Sequence, residues 1–105
     1  MLFRSNSFEI VNNTTATIFT VDTTQARAFS VNYTIIRNTG YQTGTLLVSS
    51  NGGSVDLNWS QDYVENETTG VVLSVSQTGT TVSIAYTSNN TGFPGTINYS
   101  ITYLA

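Results

Sequence analysis

From residue 28 to residue 104 the chain is a near-continuous series of runs in which apolar and polar residues alternate, broken by glycine-bearing turns. Period-two alternation puts successive side chains on opposite faces of an extended strand, one face buried and one wet, and antiparallel sheets are built from such strands. Phe29, Val31, Tyr33 and Ile35 share one face of a run over residues 28–38, against Ser30, Asn32 and Thr34. Gly40 and Gly44 bracket an expected loop, after which Leu46 and Val48 face one way and Leu47 the other. Asn51-Gly52-Gly53 supplies the positive-φ residues that a tight turn needs, and Val55, Leu57 and Trp59 then alternate with Asp56, Asn58 and Ser60. This is the cleanest half-buried pattern in the chain, and it makes Trp59 the expected core anchor.

Beyond the polar loop Asn66-Glu67-Thr68-Thr69-Gly70, Val71, Leu73 and Val75 point inward, Thr78-Gly79 turns the chain, and Val82, Ile84 and Tyr86 return. Turn-formers Gly92, Pro94 and Gly95 then lead into a last strand that buries Ile97, Tyr99, Ile101 and Tyr103. Upstream, residues 16–22 read as a short strand burying Phe19 and Val21. Residues 1–15 carry Leu2, Phe3, Phe8, Ile10 and Val11, more apolar surface than a loose tail should have. They are expected either to form a first strand or to act as an N-terminal arm that pairs with a neighbouring subunit's sheet edge. Seven or eight strands at this spacing predict one all-β domain over residues 1–105, an antiparallel two-layer β-sandwich of Ig-like or jelly-roll-like type. No stretch shows helical periodicity, and no linker or fixed repeat divides the chain.

Composition narrows the chemistry. A chain of 105 residues buries roughly 65% of its unfolded surface, enough for one core without external staples. There is no cysteine, histidine or lysine, so the thiolate, the commonest general base and the usual Schiff-base nucleophile are all missing. A non-enzymatic role is expected, without a cofactor or metal. Three arginines (Arg4, Arg27, Arg37) face six carboxylates, a net charge of -3, which offers no field for nucleic acid or an anionic bilayer. Neither is an expected partner. Thr, Ser and Asn number 19, 12 and 11, so solubility rests on hydroxyls and amides more than on ions. The opening Met1-Leu2-Phe3-Arg4 lacks a secretory pattern, and no run is long enough to span a membrane.

Asp62, Glu65 and Glu67, with Asp56 near by, read as a solvated acidic loop, with a Ca²⁺ site or a salt link to Arg37 or Arg27 as the alternatives. As a glycosidase pair they would need a sugar cleft between them, which the alternation does not provide. Asn-x-Ser/Thr sequences at Asn12, Asn13, Asn32, Asn58, Asn66, Asn89 and Asn98 follow from the composition. Tyr41 and Phe93 fall in expected glycine-rich loops, where each ring either caps an end of the sandwich or serves a partner contact. The candidate contact residues are thus Leu2, Phe3, Phe8, Ile10, Tyr41 and Phe93.

Several stretches carry a resemblance: Phe29-Ser30-Val31-Asn32-Tyr33-Thr34-Ile35-Ile36-Arg37, Gly44-Thr45-Leu46-Leu47-Val48, Asp62-Tyr63-Val64-Glu65-Asn66, Gly70-Val71-Val72-Leu73-Ser74, Tyr86-Thr87-Ser88-Asn89-Asn90-Thr91-Gly92 and Tyr99-Ser100-Ile101-Thr102. Together they cover about three quarters of the chain and resemble small β-sandwich modules of tailed-phage virions, of the capsid decoration or fibre type. The resemblance implies a decoration or cement protein on the virion surface, assembled in the host cytoplasm. Its partner would be the major capsid protein or another virion protein, and it would form a homo-oligomer, often a trimer. The alternative it leaves open is a tail or fibre adhesin that binds a host glycan through Tyr41, Trp59 or Phe93.

Overall fold

The structure, a computed structural model, describes residues 2–52 and 56–105, with side chains from residue 6 onward. Among the described residues the strands are β1 (Leu2–Ile10), β2 (Thr15–Asp22), β3 (Ala28–Arg37), β4 (Gly40–Ser49), β5 (Asn58–Glu65), β6 (Val71–Thr78), β7 (Thr81–Ser88) and β8 (Gly95–Tyr103). All pair antiparallel, in one sheet ordered β1-β8-β3-β4-β5 and a second ordered β2-β7-β6. The chain is an all-β two-layer sandwich of the Ig-like or jelly-roll-like kind. Its pairing is nested, first strand with last and second with penultimate, while β3-β4-β5 and β6-β7 are simple meanders.

The core lies between the sheets. Phe29, Val31, Tyr33 and Ile35 of β3, Leu46 and Val48 of β4, and Ile97, Tyr99 and Ile101 of β8 meet Val71, Leu73, Val75, Val82, Ile84 and Tyr86 from the smaller sheet. β-Branched and aromatic side chains suit this pleated, half-buried surface, and each large one contributes about 1.5–3 kcal/mol when buried. In β2 the register shifts between Thr17 and Phe19, so Ile18 is an extra residue. The bulge buries Ile18 along with Val21 and leaves Phe19 half-buried, its ring stacked on Tyr99 at 4.9 Å. Simple alternation had put Ile18 on the wet side.

The β3–β4 connection is shorter than the glycines suggested. Arg37 pairs with Gly40, leaving only Asn38-Thr39 in the turn, with Asn38 at φ 55°. A two-residue hairpin loop needs a positive φ, and Asn supplies it at low cost. Gly40 and Gly44 therefore sit inside β4, and Tyr41 stands on a strand instead of a loop. Gly44 serves close packing: a Cβ there would lie 2.6 Å from the Asp62 carbonyl, 2.7 Å from the Tyr63 Cβ and 2.8 Å from the Tyr33 hydroxyl.

One further expectation needs correction. The pattern over Val55, Leu57 and Trp59 does not make a buried strand, because β5 begins at Asn58, opposite Ser49. Val55 lies outside the described residues, Leu57 packs partly against the core, and Trp59 is 37% exposed. Trp59 does share a face with the core residue Val48, its register partner. The three-stranded sheet is narrower than the five-stranded one, however, and does not cover β5. Residues 2–10, for their part, pair with β8 from Leu2 opposite Tyr103 to Ile10 opposite Gly95.

Candidate docking surface

Strand direction brings the β1–β2, β3–β4, β5–β6 and β7–β8 connections to one end of the sandwich. What fixes them there is the last inward residue of β3. The face that buries Phe29, Val31, Tyr33 and Ile35 continues in phase to Arg37, which is only 3% exposed. A guanidinium cannot be buried without partners, since an unpaired buried charge costs several kcal/mol or more.

Arg37 meets that demand with oxygens from the three other connections. Its Nε donates to the Phe93 carbonyl at 3.0 Å. One terminal nitrogen donates to the Thr69 carbonyl at 2.9 Å, the Asn89 Oδ1 at 2.9 Å and, more weakly, the Gly70 carbonyl at 3.5 Å. The other donates to the Asn12 Oδ1 at 2.8 Å and the Asn89 carbonyl at 2.7 Å. Every acceptor is a carbonyl oxygen and none is a carboxylate. The planar fork suits this arrangement because its five N–H groups diverge in fixed directions and one side chain reaches several loops together.

Its partners are tied in turn. The Asn12 Oδ1 also accepts the backbone N–H groups of Thr91 and Gly92, at 2.9 and 3.1 Å, and its amide nitrogen donates to the Asn90 Oδ1 at 3.0 Å. Asn13 turns the chain at φ 54° and donates its N–H to the Asn89 carbonyl. Gly70, at φ 67°, leaves room for the Asn89 side-chain oxygen, which would lie 2.1 Å from a Cβ. Across the β3–β4 turn, Thr39 donates its hydroxyl to Glu67, and Asn66 accepts from the Tyr41 N–H at 2.7 Å. Behind the loops, the buried Tyr33 hydroxyl donates to the Gln42 Oε1 at 2.7 Å and accepts from the Gln61 amide at 2.6 Å, while Gln42 donates to Glu65 at 2.9 Å. Burial pushes the Tyr33 phenol above its ordinary pKa, the charges of Tyr63 and Glu65 add to the rise, and the Gln61 hydrogen bond opposes it.

On this frame Val11, Tyr41 and Phe93 expose large apolar surface, with Tyr41 at 52% and Phe93 at 46%. A depression of about 230 Å³ lies at the same end, lined by Arg37, Thr39, Glu67, Thr69, Thr91 and Phe93. The turns that carry Val11 and Phe93 are held by hydrogen bonds and have little entropy left to lose, and Tyr41 stands exposed beside them on the outer face of β4.

Of the candidate contact residues, Tyr41 and Phe93 are exposed at this end. Ile10 is a correction: it is fully buried in the chain's own core and offers no surface to a partner. Phe8 is half-buried, edge-on to Tyr86 at 6.4 Å. The side chains of Leu2 and Phe3 lie outside the described residues. The acidic residues near β5 assemble no group of three or more metal-ligating side chains among the described residues. The salt link considered for Arg37 or Arg27 is replaced by carbonyl partners, the Asn51 Oδ1 at 3.4 Å in the case of Arg27. Arg37, Asn12 and Asn89 were not singled out from the sequence as functional. The signal was there for Arg37, which falls in phase with four buried positions.

No protein-family model, curated protein or solved structure matches the chain. What stands is the architecture: a β-sandwich compatible with a structural or adhesive role.

Proposed function

We propose that the protein is a non-enzymatic structural component of a tailed-phage virion, a decoration or cement protein that docks on the outer capsid and reinforces it. The phage setting rests on the resemblance of the strand and turn residues given above. The docking role is supported by one observation in particular: Arg37 ties together the connections that carry the exposed Val11 and Phe93, at the end of the sandwich where Tyr41 is exposed on β4. Each copy would clamp neighbouring shell subunits, as a trimer in the family analogy, so that several weak contacts act together. A contact of about 1,600 Å² per partner pair would suffice. An arm function for residues 1–15 is not tested cleanly by deletion, because removing them takes Ile10 from the core and Asn12 from Arg37.

The test adds purified protein to particles that lack it. Wild type should bind and raise particle resistance to heat. Tyr41→Ala and Phe93→Ala should fold normally and lose binding. Variants that decorate as well as wild type would refute the role of this end. The second reading, a glycan-binding adhesin, is favoured by Trp59, which faces solvent beside Asn58 in a depression of about 280 Å³ also lined by Phe29, Leu47 and Leu104. Aromatic faces flanked by amides suit sugar rings. Glycan-array binding lost on Trp59→Ala, with no binding to particles, would establish that reading in place of the first.

A further inference from the structure

We propose that β5 is a docking edge that takes an extended, arginine- or lysine-bearing segment of a partner protein as a sixth strand of the larger sheet. This surface meets the loop end only at Glu65 and Glu67, and the inference does not depend on what docks there. Among the described residues β5 ends its sheet and is paired on one side only, with β4. Its other side offers a row of backbone N–H and C=O groups, the template that strand addition uses. β1, β2 and β6 also end their sheets, but β6 carries no charge, β2 only Asp22 at its last residue, and β1 both Arg4 and Glu9, so none carries the run of like charge that selects a partner at β5.

Two features of β5 select one. Its side chains are exposed on both faces: Val64 is 73% exposed on the outer face, and Trp59 and Tyr63 stand on the overhang that the smaller sheet leaves bare. An added strand would cover all three. Asp62 also lies exposed near the middle of β5, with Glu65 at its end and Asp56 and Glu67 in the flanking loops, so four of the chain's six carboxylates bracket this edge. No arginine answers them in the described structure, since Arg37 is buried among carbonyls and Arg27 bonds Asn51. A second copy of β5 would bring like charges together across the new ladder, which is destabilising, whereas a cationic residue opposite Asp62 is attracted. Charge therefore favours a basic partner segment over self-pairing.

The test uses synthetic strand-length peptides of alternating valine and threonine, titrated into isotope-labelled protein and followed by amide chemical shifts. The first peptide carries arginine at its centre, the second glutamate there, and the third is the arginine peptide with its pairing edge N-methylated. Shifts confined to β5 and its β4 neighbours are expected for the arginine peptide, with binding weakened by salt. The glutamate peptide should bind roughly fivefold to tenfold more weakly, on the scale of one cross-strand charge pair turned from attractive to repulsive. The N-methylated peptide should not bind, and Asp62→Lys should invert the preference between the first two. The proposal is overturned by absent or scattered shifts, by a preference that Asp62→Lys leaves unchanged, or by light scattering that shows the protein self-pairing through β5.

Discussion

Replacing Arg37 by alanine should loosen a whole end of the molecule, and the structure gives the size of the effect. Five of its acceptors lie at 3.0 Å or closer. They are not equally exposed to the loss. The Asn12 Oδ1 keeps the N–H groups of Thr91 and Gly92, the Asn89 carbonyl keeps that of Asn13, and the exposed Asn89 side chain and Phe93 carbonyl gain access to water. The Thr69 carbonyl, on a residue 2% exposed, is left without a donor. One orphaned buried carbonyl costs about 1–3 kcal/mol, and the lost burial of the arginine's methylene stem adds about 2 kcal/mol. A total of about 3–5 kcal/mol follows, a large part of the 5–15 kcal/mol typical of a domain, and at about 4–8 °C per kcal/mol it lowers the melting temperature by roughly 12–40 °C. Arg37→Lys should fall between, because one ammonium cannot span acceptors that a fork reaches in three directions. Urea unfolding gives the total, and amide exchange shows where it acts: residues 11–14, 66–70 and 89–94 should lose protection before the β3–β8 ladder does. A loss below about 1 kcal/mol, or unchanged protection in those loops, would refute the view that Arg37 organises this end.

Two other perturbations probe neighbouring features. Gly44→Ala should cost about 1–3 kcal/mol and lower amide protection along β5, since the added Cβ would press on the Asp62 carbonyl and Tyr63; an unperturbed β5 would show that the close approach can relax. Because burial raises the Tyr33 pKa, the folded state favours the neutral phenol, so this contribution is intact below the ordinary value of 10.0 and is lost as pH rises from there through the folded value. Urea midpoints taken up to about pH 11 should therefore fall more steeply for wild type than for Tyr33→Phe, and parallel profiles would disprove the linkage.

Much of the architecture was legible from the chain because a strand's two faces are set by parity alone. Phe29, Val31, Tyr33 and Ile35, or Val82, Ile84 and Tyr86, point the same way in any sheet, and the hairpin at Thr78-Gly79 follows from a glycine that reaches φ 60°. Parity is silent on whether a face is covered. Trp59 shares the core-facing side of Val48 yet meets solvent, because coverage depends on one sheet having five strands and the other three. It is silent too on bulges, and one extra residue in β2 was enough to turn Ile18 inward. The loop end was the least legible part. Asn12, Arg37, Thr69, Asn89 and Phe93 are far apart in sequence, and only folding brings the oxygens of the other four within 3.0 Å of the Arg37 guanidinium nitrogens. Alternation along the chain determined where most strands run and which of their residues share a face; the bulge in β2 and the stacking of unequal sheets decided which sides are dry, how far β5 is left uncovered and what a buried cation binds.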